Sequence, residues 1–568
     1  MDSTNQTPTS NTYDAIVVGS GISGGWAAKE LTEKGLKTLV LERGRDVKHN
    51  IDYPTTNLNP WELEHRNELP LDVKNENPIV SRCYAFREDS AHFFVKDKEH
   101  LYVEDKPFDW IRGYQVGGKS LIWARQTQRW SDFDFEGPSR DGFAVDWPIR
   151  YKDIAPWYSH VEKFAGISGN KDGLPNLPDG EFLPAMEMTY VEKYFQKKVA
   201  ENYNDRNVIM GRCAHITEAQ PVHIEQGRVD CQHRDLCRRG CPFGGYFSSN
   251  SSTLPWAEKT GNLTLRPDSV VHSIVYDEDQ KKAVGVVVID AKTKKKTTYY
   301  AKIIFVNASA VNTNLILLNS KSKRFPNGLG NDNGLLGKYF AFHNFRGKIT
   351  ATYDGALEYT TDGRRPTASY IPRFRNLRNQ ETDFLRGYAV GMGATRSDIS
   401  PQGIGENLKK QLVNPKEGAW RVKGGFMGET IPKESNSISL STTEKDEWGI
   451  PLPVLSVAYD DNDEKMLKDF FQQLTDMFSK AGFTNIQTRD TKQAPGLDIH
   501  EMGGVRMGKD PKTSLLNGFN QLHECKNVFV TDGACMTSTS TQNPSLTYMA
   551  LTARAVDHAV KEFRKGKI

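Results

Sequence analysis

The sequence predicts an α/β fold joined to an α+β portion: a parallel-sheet domain, discontinuous along the chain, and a second domain built on an antiparallel sheet. Three observations predict it. A strand–glycine loop–helix–strand signature opens the chain, the middle alternates short strands with long polar loops, and the last stretch returns to a strand followed by a helix. At 568 residues the chain also exceeds what one hydrophobic core organises, so two or more domains are expected.

The signature is Tyr13-Asp14-Ala15-Ile16-Val17-Val18, a run of strand formers, ending in Gly19-Ser20-Gly21-Ile22-Ser23-Gly24. Trp26 to Lys34 reads as a helix, Gly35 as a turn, and Leu39-Val40-Leu41 as a second strand closed by Glu42. This is the βαβ dinucleotide fingerprint of Rossmann-type domains with its context intact. Gly19 permits the tight turn, Gly21 lets a pyrophosphate approach the backbone, and Gly24 lets helix and strand pack closely. The helix N-terminus offers unpaired N–H groups to phosphates, and Glu42 can accept hydrogen bonds from a ribose. A glycine-rich turn in an ordinary α/β domain is the plainer alternative. The strand, helix and acid around the motif weigh against it.

Composition narrows the class. A formal net charge of +3 gives no reason to expect nucleic acid. No apolar run approaches the ~18 residues of a membrane span. Met1 to Thr12 is polar, with neither an apolar signal core nor a twin arginine, so a soluble chain with no export address of its own is expected. Seven cysteines are too few and too clustered for a secreted disulfide scaffold.

Ile51 to Val80 is polar and rich in Pro and Asn, and reads as a long surface excursion. Ile111-Arg112-Gly113-Tyr114-Gln115-Val116-Gly117-Gly118-Lys119-Ser120-Leu121-Ile122-Trp123 follows. A glycine pair before a small hydroxyl residue suits a loop where backbone approaches a flat or charged ligand, or a tight turn without one. With the opening fingerprint, this segment resembles the GMC (glucose–methanol–choline) family of FAD-dependent oxidoreductases, in which it passes beside the isoalloxazine ring. Some sugar-oxidising relatives carry a histidine just before the tryptophan and attach FAD to it covalently. Ile122 stands there in this chain, so the resemblance implies non-covalent FAD. Trp147-Pro148-Ile149 and the helical stretch Tyr151 to Gly166 are similar to the same family.

Between Gly211 and Pro255 the chain holds Cys213, then Cys231-x5-Cys237-x3-Cys241-Pro242. Structural cysteines are usually scattered among apolar residues, whereas Arg238, Arg239 and Gly240 lie between these. Zinc usually shows C-x2-C pairs, and neither pair here has that spacing. A disulfide or a set of inert thiols is the plainer alternative, though a disulfide leaves the cluster unexplained. Cys237 and Cys241-Pro242 resemble the ending of iron–sulfur ligand runs. The segment is also similar to a GMC subgroup, flavin dehydrogenase subunits with a three-iron cluster, which implies [3Fe-4S] on Cys231, Cys237 and Cys241 with Cys213 as a candidate fourth ligand. The x5 gap before Cys237 is longer than in the glucose enzyme of that subgroup. Cys83, Cys525 and Cys535 read as inert.

In the second half, Ser273–Tyr276, Ala283–Ile289, Thr297–Tyr300 and Ile303–Val306 read as short strands. Lys292 to Lys296 reads as a solvated hairpin tip. Asn307-Ala308-Ser309-Ala310 leads from strand to helix. Phe345 to Pro495 alternates strands with long polar loops such as Thr360 to Arg378. One helix is clear there: Leu467, Phe470, Phe471, Leu474, Met477, Phe478 and Ala481 keep helical spacing, with Asp463 as cap and Gly482 as stop.

The carboxy-terminal stretch contains His500-Glu501-Met502-Gly503-Gly504, then Val528 to Gly533, then Asn543-Pro544-Ser545-Leu546-Thr547 before a helix from Tyr548. Alone, His500 reads as a satisfied buried histidine and Asn543 as a helix cap. The resemblance implies otherwise: His500 and Asn543 would face the flavin as catalytic residues, His500 as base and Asn543 as hydrogen-bond donor. It further implies cofactor contacts from Gly19, Gly21, Ile22, Ser23, Gly24, Glu42 and Arg43. Arg112, Gly117, Gly118 and Ser120 would add to them, as would Ala308, Asp532, Gly533, Asn543 and Ser545. The expected division is an FAD-binding domain of residues 11–50, 110–130, 200–344 and 496–568, containing the cysteine segment 211–255. A substrate-binding domain of 345–495 and cover segments 51–109 and 131–199 complete it.

Cys237 to Ser249 looks most like one branch of the family, the large subunits of bacterial glucoside 3-dehydrogenases. That branch implies a ring hydroxyl of glucose or a glucoside as substrate, a 3-keto sugar as product, and a signal-bearing small subunit and a cytochrome c as partners. The expected compartment is the periplasm by co-export, or otherwise the cytoplasm. An oxidase using O2, oxidation at C1 or C2, and a nucleotide-binding or scaffold subunit without chemistry are the alternatives.

Overall fold

The computed structural model describes residues 11–142, 144–360, 366–398, 403–413 and 417–568. The start of the chain and residues 361–365 of the long Thr360 to Arg378 loop lie outside them. The opening signature folds as expected. β1 (Thr12–Val18) runs into α1 (Ile22–Glu33) and returns as β2 (Thr38–Leu41), parallel to β1. Ala15 to Val18 and all of β2 are buried, the condition of strands covered on both faces.

Five further strands complete this sheet. Leu263–Arg266 lies beside β2, and the long strand Lys296–Val306 lies on the other edge of β1. Thr297–Tyr300 and Ile303–Val306, expected as two strands, are parts of this one. Its first residues pair antiparallel with Lys282–Asp290, which pairs antiparallel in turn with Ser269–Asp277, and its last three pair parallel with Val528–Val530. One strand therefore serves two neighbours along a single edge. Lys292 to Lys296 forms the exposed tip of its hairpin, as expected. In register, Val18 sits beside Leu41 and Val306, and Val306 beside Val530, so four parallel strands end together.

A second sheet is antiparallel throughout, in the order Thr484–Asp490, Gly347–Tyr353, Glu417–Glu429, Tyr388–Asp398, Ser369–Ile371 and Ile209–Met210. The short strand His343–Asn344 pairs with Gly428 and Glu429 at the end of Glu417–Glu429. The helix Asp461–Lys480 packs Met466, Leu467, Phe470, Leu474 and Phe478 against Ile349, Val390, Val422 and Phe426 of the sheet. Each such buried side chain contributes about 1.5–3 kcal/mol by leaving water. The cap is Asp460, not Asp463. Asp460 Oδ1 accepts from Asp463 N (3.1 Å) while Asp463 Oδ2 accepts from Asp460 N (3.0 Å), a reciprocal box. Gly482, at φ 76°, ends the helix.

This core also takes Val191, Phe195 and Val199 from the helix Tyr190–Asn202. By contrast, Ile438, Leu455 and Val457 of the Ser437–Lys445/Pro451–Ser456 hairpin pack with the first sheet. The excursion after Ile51 has few regular elements, and part of it covers the cysteine segment. The Tyr53 ring lies against Gly240, and Thr56 Oγ1 donates to Gly240 O (2.8 Å). Among the described residues, no helix is long and apolar enough to cross a membrane.

Candidate active site

The loops leaving the four parallel strands converge on one cavity, where ligands of open α/β sheets are held. Gly19, Gly21, Ile22 and Ser23 line it after β1, Glu42 and Arg43 after β2, Ala308 after Val306, and Asp532 and Gly533 after Val530. Arg112, Gly118 and Ser120 form a further wall, and His500, Asn543 and Ser545 complete it. Two of the expected contacts stand behind the wall. A Cβ on Gly24 would lie 1.9 Å from Gly19 O, so this glycine serves helix packing. A Cβ on Gly117, at φ 89°, would lie 1.6 Å from Asn250 Oδ1.

Glu42 props the glycine loop. Its Oε2 accepts from Ser20 N (3.2 Å) and Ser20 Oγ (2.6 Å), and Oε1 from Gly44 N (3.0 Å). Burial pushes its carboxyl above the usual range. Burial likewise raises Asp532 to about 6, against hydrogen bonds from Thr313 Oγ1 (2.6 Å) and Ala534 N (2.9 Å). Ser120 Oγ donates to Gly117 O (2.5 Å) and accepts from Ser249 N (3.0 Å). Arg112 Nη1 donates to His100 O (2.6 Å).

A turn that the sequence did not mark closes over Arg43. Asp446 and Ile450 lie on the cavity wall, and the Arg43 guanidinium stands 4.1 Å from the Tyr114 ring and 5.4 Å from that of Trp448. Trp448 Nε1 donates to Ala291 O (3.1 Å), and Lys294 Nζ pairs with Glu447 Oε2 (2.9 Å).

His500 and Asn543 meet. Asn543 Nδ2 lies 3.1 Å from His500 Nε2. The last helix, Ser545–Arg564, begins three residues ahead of Tyr548 with Pro544 at its N-cap, so Asn543 is not its cap. On the other side of the ring, His500 Nδ1 lies 2.8 Å from Nδ1 of His343, a residue the sequence did not single out. His343 Nε2 is 3.1 Å from Thr539 O and 3.0 Å from Ser540 O. Asp498 Oδ2 accepts from His343 N (2.9 Å) and His500 N (3.3 Å). Burial holds the His500 imidazole well below its ordinary pKa, and the nearby His343 and Lys119 add to this. Burial lowers His343 to about 4. Both rings are therefore neutral at neutral pH. The backbone just before His500 is strained: Ile499, β-branched, holds φ 61°.

The cavity suits an elongated polar cofactor. A Cβ on Gly21 would meet nothing within 4 Å, which leaves open space at the head of α1. Asn307 Nδ2, Glu501 Oε1 and the Tyr548 hydroxyl are buried on the wall without a partner.

Cys231, Cys237 and Cys241 line a second, smaller cavity with His215 and Tyr246. Cys237 Sγ lies 3.7 Å from His215 Nε2. All seven cysteines are free thiols, so no disulfide accounts for the segment. Among the described residues, the one trio of His, Cys, Asp or Glu ligand atoms within 4.8 Å is His343, Asp498 and His500. The three sulfurs thus do not close on a single ion. Cys213 stands off this wall, fully buried with Met186 and Met210, its Sγ 3.3 Å from Ser168 Oγ. Cys83, Cys525 and Cys535 are buried, and burial raises each thiol. Arg125 joins the two cavities: it lines the first, and its guanidinium stands 4.9 Å from the ring of Tyr246 in the second.

A dinucleotide-type loop and a neutral histidine on one cavity are the arrangement of a cofactor-dependent oxidoreductase. The chain belongs to the GMC oxidoreductase family, whose N-terminal domain matches residues 13–345 and whose C-terminal domain matches 432–552. It is 26% identical to the 2-methyl-1,2-propanediol dehydrogenase of Mycolicibacterium austroafricanum, over 98% of this chain and 97% of that one. It is 24% identical to the fructose dehydrogenase large subunit of Gluconobacter japonicus (97% and 98%) and 25% identical to the paromamine 6'-oxidase of Streptomyces fradiae (96% and 90%). It is an enzyme that oxidises CH–OH groups of alcohols or sugars, and the family implies FAD.

Proposed function

We propose that this chain is an FAD-dependent dehydrogenase oxidising a ring hydroxyl of glucose or a glucoside, at C3, to a 3-keto sugar. Electrons leave by an iron–sulfur centre of the [3Fe-4S] type, held by Cys231, Cys237 and Cys241, to a cytochrome c or another acceptor. The observation that carries this reading is the pairing of the His500–Asn543 cavity with the cysteine cavity across Arg125 and Tyr246. A signal-bearing small subunit, and with it a periplasmic location, belongs to the same reading. A relative that is itself a large subunit supports the partner.

The cofactor would be held without a covalent bond by the Gly19–Ser23 loop, Glu42, Arg112, Ser120, Ala308 and Asp532. When bound, it supplies the acceptor for the carbinol hydride. The chain's own residues handle the proton. A substrate hydroxyl that displaces the Asn543 Nδ2 contact from His500 Nε2 donates to the imidazole nitrogen and accepts from the amide. As the C–H bond gives up its hydride, the hydroxyl proton passes to Nε2 and the C–O bond becomes a carbonyl. A neutral imidazole can take that proton at neutral pH. Asn543, which does not titrate, stabilises the developing alkoxide.

An oxidase that passes electrons to O2 is the second reading, and the aminoglycoside oxidase among the relatives favours it. One measurement separates the two: iron and acid-labile sulfide per FAD on protein purified anaerobically, with an EPR spectrum. About three irons per FAD are expected. FAD without iron would sink the cluster, and peroxide formation would then be assayed. Glucosides with an artificial acceptor, and the position of the ketone in the product, test the substrate.

A further inference from the structure

We infer that His343 is a positioning residue that dictates which nitrogen of His500 carries the hydrogen. The inference rests on the reading of His500 as the base. His343 is fully buried and sits 157 residues away from His500 in sequence, on the short strand at the end of Glu417–Glu429.

His343 Nε2 faces Thr539 O (3.1 Å) and Ser540 O (3.0 Å), and a carbonyl oxygen can only accept. Nε2 therefore carries the hydrogen of the neutral ring, and Nδ1 is left bare. His500 Nδ1, 2.8 Å from that bare nitrogen, must be the donor. A neutral imidazole holds one N–H, so His500 Nε2 keeps its lone pair, aimed at Asn543 and the cavity. The opposite tautomer would put N–H on Nε2, which cannot then take a hydroxyl proton.

The direction originates in main-chain groups that neither titrate nor turn. Ser540 is fixed at φ 60°, and its Oγ donates to the buried Asp134 Oδ1 (2.6 Å). Histidine bases are commonly oriented by a carboxylate. Here the nearest, Asp498, lies 3.9 Å from His500 Nδ1 and holds the backbone N–H of both histidines instead. The titratable groups facing the pair are Asp498, which burial raises to about 7, Lys119 and Glu429. A neutral orienter fixes the tautomer without the rise in basicity a carboxylate brings.

The test uses the flavin-loaded enzyme labelled with 15N-histidine, in which the His500 signal is identified by its loss in His500→Asn. The Nδ1–H tautomer is expected for His500. His343→Leu removes both nitrogens and should lower kcat about 100-fold, with KM within about two-fold, and release the Nε2–H form. His343→Asn, whose Oδ1 can accept from His500 Nδ1, should recover most of that loss. Nε2–H His500 in the unaltered enzyme overturns the inference, as does His343→Leu with unchanged kcat and tautomer. Should His343→Leu not fold, the unaltered spectrum and His343→Asn decide. Should the enzyme oxidise no alcohol, the functional reading falls while the tautomer measurement still decides this one.

Discussion

At the scale of single residues, the site is a histidine that burial keeps neutral beside an amide that does not titrate. Replacing Asn543 by Ala should lower kcat by about 10^2–10^3, the cost of one lost oxyanion-type donor, with FAD content unchanged. The pH dependence has a definite sign. On the proposal that His500 takes the hydroxyl proton it acts only unprotonated, and burial holds its pKa well below the ordinary ~6.5, so kcat/KM should show no acid limb from His500 as pH falls through ~6.5. An acid limb at or above pH ~6.5 would show that another group, or a much wetter His500, governs the rate. The glycine loop is legible as a local motif, whereas His500 and Asn543 stand out only through the family resemblance, since alone they read as a buried histidine and a helix cap. His343 is legible in neither way: its partners are at 500, 539 and 540, and nothing around residue 343 distinguishes a relay histidine from a satisfied core one.

At the scale of elements, local signals read correctly wherever chemistry and spacing agreed. The helix Asp461–Lys480 is visible in its apolar stripe, yet its cap lies three residues earlier than expected, because Asp460 and Asp463 are both good cap residues and a stripe beginning at Leu467 does not choose between them. Asp460→Ala should cost about 1 kcal/mol and Phe470→Ala about 3–5 kcal/mol, read by urea unfolding. Equal losses for the two would mean that this helix frays before the core opens. The strand Lys296–Val306 was read as two because Ala301 and Lys302 interrupt its apolar run. Pairing with three neighbours, invisible in a linear pattern, makes it continuous.

At the scale of the whole molecule, the cavity is assembled from loops spanning Gly19 to Tyr548, so cofactor and fold are thermodynamically linked. Free FAD at about 100 times its Kd should add about 2.7 kcal/mol to stability, seen as a Tm that rises with FAD concentration. A Tm indifferent to FAD would mean that the loops are organised without it. The two sheets and the fingerprint half of the cavity could be inferred from sequence. The assignment of the Ser437–Ser456 hairpin to the first core could not, because its short strands carry no mark of which sheet they cover.

That hairpin has a consequence for biogenesis. Its tip is strapped across the mouth above Arg43, by Trp448 to Ala291 and by Glu447 to Lys294. The chain order is decisive: the glycine loop emerges some four hundred residues ahead of the strap. On this arrangement, flavin captured before residue 446 folds down would be held beneath the turn, whereas flavin arriving later would wait for the turn to lift. Loading should therefore be fast during folding and slow afterwards, and Trp448→Ala should speed both loss and uptake of FAD in the finished protein, followed by flavin fluorescence. Equal exchange rates in the two proteins would mean that the flavin comes and goes by another door.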